Sequence, residues 1–276
     1  MTPRIFWRRL RMGLQTLLGL KRQGFFIPYR YADGVAEIQP LYAEVAALMQ
    51  ARQGAFQDIL HRIIGHAGDF AAFGGKPRFD QDWFPTLDAA AANALLRQRN
   101  PKRIVEVGSG HSTRFLARAV QDGGFACVIT AIDPAPRASL QGLAVDFRPG
   151  IAQNADPAIF AALQAGDVLF IDSSHILMPG SDVDWLFSRV LPRLAAGVIV
   201  HIHDVFLPDD YPAAWAWRGY NEQQALPGML FGGGWRVLFA SHYAANWMSA
   251  AVDAALAGLP RAGGAMPTSL WLEKLR

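Results

Sequence analysis

After Pro40, apolar residues Leu41, Val45, Leu48, Met49, Phe56, Ile59, Leu60 and Ile63 recur at helical spacing and stop near Gly65 and Gly68. That periodicity predicts one long helix lying outside the main sheet. Gly74-Gly75-Lys76-Pro77 breaks the chain, and residues 80–85 carry Trp83 and Phe84 ahead of an alanine-rich helix expected over 87–98. Trp83 and Phe84 are expected to pack between helix and sheet, with cover of a bound cofactor as the other role. Beyond Pro101 the pattern changes to short apolar runs, at 104–107, 127–132, 144–147, 168–171 and 198–202, separated by helix-prone segments. Two later runs, 235–240 and 269–272, flank a helix-prone region that includes 250–256. Alternating strands and helices predict an α/β fold with a doubly wound, mostly parallel seven-stranded sheet. The sheet domain is expected over 79–276 and an N-terminal helical extension over 1–78.

Within that extension, Phe6, Trp7, Leu10, Leu14, Leu17, Leu18 and Leu20 share one side of a helical pattern, with Arg4, Arg8, Arg11 and Arg22 gathered opposite. Composition sharpens the contrast. Arg4, Arg8, Arg9, Arg11, Lys21, Arg22 and Arg30 all precede the first acid, Asp33, so the 26 basic residues leave 26 − 7 = 19 against 23 acids, and the body carries 19 − 23 = −4. A basic amphipathic helix followed by Gly24-Phe25-Phe26-Ile27-Pro28-Tyr29 suits either peripheral contact with an anionic membrane or docking on protein, a second subunit in a homo-oligomer included. Without a second basic patch or a stacked-aromatic motif, the arm does not predict nucleic-acid binding. No apolar run reaches bilayer-spanning length and no signal-type apolar segment precedes a cleavage site, so neither a span nor a secretory signal is expected. Cys127 is the sole cysteine among 276 residues, which rules out an internal disulfide or a cysteine zinc cage and fits a cytoplasmic setting, with the inner membrane surface as the place for peripheral contact.

The chemistry concentrates at strand ends. Ile104 to Val107 empty into Gly108-Ser109-Gly110 and then into a helix that starts His111-Ser112-Thr113. Glycines there let the backbone approach a ligand, and a helix N-terminus presents free N–H groups. Glu106, just before the turn, repels a pyrophosphate but welcomes a ligand with amino and sulfonium charge, which favours S-adenosylmethionine over NAD. Thr113 also stands where a dinucleotide fingerprint needs its third glycine. The second strand ends in Asp133, placed to accept ribose hydroxyls; the fourth in Asp172-Ser173-Ser174-His175; the fifth in His201-Ile202-His203-Asp204. Parallel strands bring all of these to one rim.

Residues 80–276 resemble a class I S-adenosylmethionine-dependent methyltransferase, with Glu106-Val107-Gly108-Ser109-Gly110, Asp133 and Phe170-Ile171-Asp172 carrying the likeness. The Asp172-x-x-His175 spacing and the pair His203-Asp204 are similar to metal-dependent O-methyltransferases, including those that modify macrolide sugars. The resemblance implies a cofactor site made by Glu106, Gly108, Ser109, Gly110, Ser112, Thr113, Asp133 and Asp172. It implies a divalent cation on Asp172, His203 and Asp204, and catalysis by His175 as base with Asp204. His203 stands where those enzymes have an acid or amide, which moves the expected cation from magnesium towards manganese, iron, cobalt or zinc. The alternative for His203 is a second base or an acceptor contact, and His201 is expected in the core. The aromatic and acidic segment 206–220 is expected to form a lid over a small-molecule, glycoside or glycolipid acceptor. The expected activity is therefore metal-assisted O-methylation of a hydroxyl. Competing readings are a noncatalytic cofactor-binding or membrane-associated scaffold and an NAD-linked oxidoreductase.

Overall fold

The structure is a computed structural model, and it describes residues 2–25, 27–36, 38–73 and 77–276. Phe26 of the aromatic segment and the Gly74-Gly75-Lys76 break therefore lie outside the described residues. In chain order the helices are α1 (Pro3–Leu17), α2 (Ala43–Gln50), α3 (Gln53–Gly65), α4 (Ala67–Ala71), α5 (Thr86–Arg99), α6 (His111–Gly123), α7 (Pro157–Ala161), α8 (Asp182–Trp185), α9 (Leu226–Phe231), α10 (Ser241–Trp247) and α11 (Ser249–Ala255). The strands are β1 (Arg103–Val107), β2 (Val128–Asp133), β3 (Val145–Pro149), β4 (Val168–Ile171), β5 (Ile199–Ile202), β6 (Trp235–Ala240) and β7 (Leu270–Lys274). They form one sheet in the order β3-β2-β1-β4-β5-β7-β6. β7 runs antiparallel to both of its neighbours, β5 and β6, and the other pairs are parallel. The seven-stranded, mostly parallel sheet read from the apolar runs is thus present, with helices flanking it.

Helix α5 explains how the covering layer sits so close. Every residue from Thr86 to Leu96 is buried, and the alanines let α5 press between the sheet layer and α3, where larger side chains would hold them apart. The single long helix expected after Pro40 is instead two, broken at Ala51-Arg52. A tertiary contact is made at the break. The pairing of β6 with β7 slips between Val237 and Phe239, and Arg52 Nε donates to the Val237 carbonyl at 3.0 Å. Nor does this segment stand outside the core, because Phe56, Leu60 and Ile63 of α3 are fully buried against it. Val45, Phe56 and Ile63 belong to the same apolar core cluster as the strands of the sheet. Among the described residues no helix is long and apolar enough to cross a membrane.

Candidate active site

The register of the central strands continues one residue beyond their ends and fixes the site. Gly108 N donates to the Ile132 carbonyl at 2.9 Å, Asp172 N to the Val107 carbonyl at 2.8 Å, and His203 N to the Ile171 carbonyl at 2.9 Å. Four strand ends, those of β2, β1, β4 and β5, are therefore stitched side by side before any side chain is considered. A cleft of ≈ 210 Å³ opens there, and Ser109, Ser112, Asp172, His175, His203 and Asp204 all line it.

His175 is the most constrained of them. Its backbone is left-handed, at φ +60°, as is that of Asp204 at φ +55°. Neither is glycine, and such conformations persist in non-glycine residues where surrounding contacts impose them. The His175 carbonyl accepts from Asn221 N at 3.0 Å and Glu222 N at 3.3 Å. Its ring Nδ1 lies 2.9 Å from Glu222 Oε2, so a hydrogen sits between them. Nε2 is left facing Asp172 Oδ1 at 3.4 Å and Asp204 Oδ2 at 3.3 Å. Burial alone would lower the imidazole pKa, but the Asp204 charge, with the Asp172 and Glu222 contacts, raises it well above its usual value.

His203 completes the cluster. Its Nδ1 lies 3.4 Å from Asp204 Oδ1 and 3.7 Å from Asp172 Oδ1, and Nε2 lies 3.6 Å from Asp88 Oδ2. Burial opposes its charge, yet Asp204 and Asp172 raise its pKa to about 9. The same pairing, led by the His203 charge against the opposing effect of burial, holds the Asp172 carboxyl below the ordinary carboxylate range. His201 turns into the core, stacked on Phe170 at 3.7 Å between centroids and bonded to Ser269 Oγ at 2.8 Å, and burial lowers its pKa.

The remaining cofactor candidates lie behind the cleft wall. Glu106 is fully buried in β1 and accepts from Ser112 Oγ at 2.6 Å, with its pKa pushed up to about 8 by burial. Asp133 accepts from Ser109 Oγ at 2.9 Å and from Ala135 N at 2.7 Å. Thr113 Oγ1 accepts from Gly110 N at 2.9 Å and closes the turn. The close approach that demands glycine at 108 is to protein: φ is +88° and a Cβ would overlap the Asp172 carbonyl oxygen. At Gly110 a Cβ would meet Arg137 and Ala138 at 3.3 Å.

Two carboxylates escaped the sequence reading. Glu222 follows the aromatic segment by two residues, and Asp88 is the one charged residue in the run Leu87 to Leu96. That lone acid in an alanine-rich helix was the available signal. Asp88 is fully buried and accepts from Ser241 Oγ, from Thr268 N at 2.9 Å and from Ser269 N at 3.1 Å. Trp83 and Phe84 part company: Phe84 is in the core, whereas Trp83 lines the cleft with the Arg137 guanidinium 4.4 Å from its ring centroid. Trp215, Arg218 and Tyr220, from the expected lid, form the facing wall.

Residues 105–205 match a family model described as a methyltransferase domain. Over that segment, about a third of the chain, the protein is similar to methyltransferase domains. The sheet order, with its one antiparallel strand between β5 and β6, agrees. No curated protein matches the chain. Among solved structures the chain is similar to S-adenosylhomocysteine-bound PaMTH1 of Podospora anserina, at 18% identity over 92% of this chain and 100% of that one, with TM-score 0.43. It is also similar to the O-methyltransferase TomG of Streptomyces achromogenes in complex with S-adenosylmethionine, at 17% identity over 79% of this chain and 90% of that one, with TM-score 0.44. With TM-scores this low, the fold rests on the strand registers themselves.

The cleft would offer S-adenosylmethionine a fitting surface. Ser109 and Ser112 open into the cleft beside Asp172, and Glu106 Oε2 below them is a buried acceptor with no hydrogen-bond partner. The cation set fits less well. Asp172, His203 and Asp204 do come together, but imidazole nitrogens of His175 and His203 stand between the carboxylates. Among the described residues no group of three or more His, Cys, Asp or Glu is arranged to hold a metal ion.

Proposed function

We propose that the methyltransferase methylates a hydroxyl oxygen of a small-molecule, glycoside or glycolipid acceptor, with His175 as general base. One observation carries this reading: Glu222 engages Nδ1, so that Nε2 is the ring atom presented between Asp172 and Asp204 at the cleft. A base oriented by a carboxylate on its far nitrogen is the arrangement that proton abstraction from a hydroxyl requires. S-adenosylmethionine, when bound, supplies an electrophilic sulfonium methyl. Ser109, Ser112 and Asp172 would hold it, with Glu106 beneath. Nε2 takes the hydroxyl proton as the oxygen attacks, and the Asp172 and Asp204 carboxylates stabilise the imidazolium that results. Trp83, Trp215 and Tyr220 narrow the cleft and offer apolar faces to a ring-bearing acceptor.

The reading is tested by incubating the enzyme with S-adenosylmethionine carrying a deuterated methyl group and a panel of glycosides and glycolipids. Fragmentation of the product is expected to place the label on oxygen. Label on nitrogen or sulfur contradicts the proposal.

Metal assistance is a second form of the same reaction, suggested by the proximity of Asp172, His203 and Asp204. The imidazoles of His175 and His203 already contact both carboxylates, so His175 serves as base without a cation in this reading. Dialysis against EDTA is expected to leave turnover unchanged. Loss that magnesium or manganese restores would assign those three residues to a metal instead.

A further inference from the structure

We propose that α1 is a membrane-surface helix that seats the enzyme on an anionic bilayer. The helix is locally well specified, since Thr2 caps it through Oγ1, which accepts from Ile5 N at 3.4 Å, and Pro3 occupies its first position. At 3.6 residues per turn, Phe6, Trp7, Leu10, Leu14, Leu17 and Leu18 fall within an arc of about 120°. All six are exposed, Trp7 at 64% and Leu18 at 68%. Ile5, Met12 and Gly13, on other sides of the helix, line a groove shared with residues of the 176–182 and 217–221 loops. The apolar arc is thus uncovered among the described residues, and no residue of α1 is buried.

Charge decides which occupant suits that arc. Arg4 and Arg11 border one edge of it, Lys21, Arg22 and Arg30 follow, and no acid precedes Asp33. Past the helix, Phe25, Ile27, Tyr29 and Tyr31 are also exposed, with Arg22 stacked 4.8 Å from the Phe25 ring centroid. Apolar side chains bordered by cations and followed by aromatics match a bilayer interface with anionic headgroups. The helix is too short to span, so it lies in the surface plane. Arg218 lines both the catalytic cleft and the groove under α1, which makes the helix and the cleft neighbours.

The test is co-sedimentation of the full chain with phosphatidylcholine vesicles and with vesicles containing phosphatidylglycerol. Roughly tenfold stronger partitioning to the anionic vesicles is expected, falling as salt rises. Leu10→Glu with Leu14→Glu abolishes it, with S-adenosylhomocysteine binding by calorimetry unchanged. Arg4→Glu with Arg11→Glu, which keeps the apolar arc, weakens binding to anionic vesicles alone. Equal binding to both vesicle types, or binding that survives the Leu10/Leu14 double substitution, overturns the proposal. So does a dimer in sedimentation velocity that the double substitution dissociates, because the arc then belongs to a second copy. S-adenosylhomocysteine binding is read separately, so failure of the cleft and failure of the membrane helix are distinguishable.

Discussion

Replacing His175 with alanine lowers methyl transfer by about 10²–10⁴-fold while S-adenosylmethionine binding stays intact. The asymmetry follows from geometry. His175 Nε2 faces Asp172 and Asp204 across the cleft, whereas the Gly108-Ser109-Gly110 turn that would hold the cofactor is built by β1, α6 and their own backbone bonds. The pH profile carries the same signature in the native enzyme. Asp204, Asp172 and Glu222 raise the His175 pKa well above its usual value against the opposing effect of burial, so the imidazole is protonated near neutrality. A protonated base cannot accept a proton, so kcat/KM rises with pH through that ionisation and levels off above it. A rate independent of pH across the alkaline range, or an alanine variant with native turnover, removes His175 as base.

Gly108→Ala destabilises the fold by about 3 kcal/mol or more, through an oxygen clash and backbone strain acting at one point. Gly108 sits at φ +88°, and a Cβ would overlap the Asp172 carbonyl oxygen, which belongs to the neighbouring strand end. Relief requires β1 and β4 to separate where Asp172 N donates to the Val107 carbonyl at 2.8 Å. The displacement moves Asp172 itself, so cofactor affinity falls together with stability. In calorimetry the melting temperature is expected to drop by about 6–12 °C for a chain of this size. A drop of less than about 1 °C means the strand ends yield freely and the steric account of Gly108 is wrong.

The sheet was legible because its strands are short apolar runs bounded by polar turns, and burial on both faces of β4 and β5 leaves no alternation to confuse them. Its rim was legible too: once the strands are parallel, Asp172, His175, His203 and Asp204 have to share one end. The break at Ala51-Arg52 was not legible, since apolar spacing continues across it and the contact made there is with a carbonyl on β6, far along the chain. Glu222 was missed for the same kind of reason. Its value lies in one contact with a histidine brought close by folding, and nothing local distinguishes it from a solvated acid. Gly108 is a subtler case, because its need for glycine was visible while the reason lay in the Asp172 carbonyl.

Co-crystallisation with S-adenosylhomocysteine tests the central claim most directly. The account predicts the ligand across the β1–α6 turn, in contact with Ser109, Ser112 and Asp172, with its sulfur turned towards the space that His175 Nε2 faces. Density elsewhere, or a sulfur directed away from His175 and towards the β2–β3 side, would contradict it.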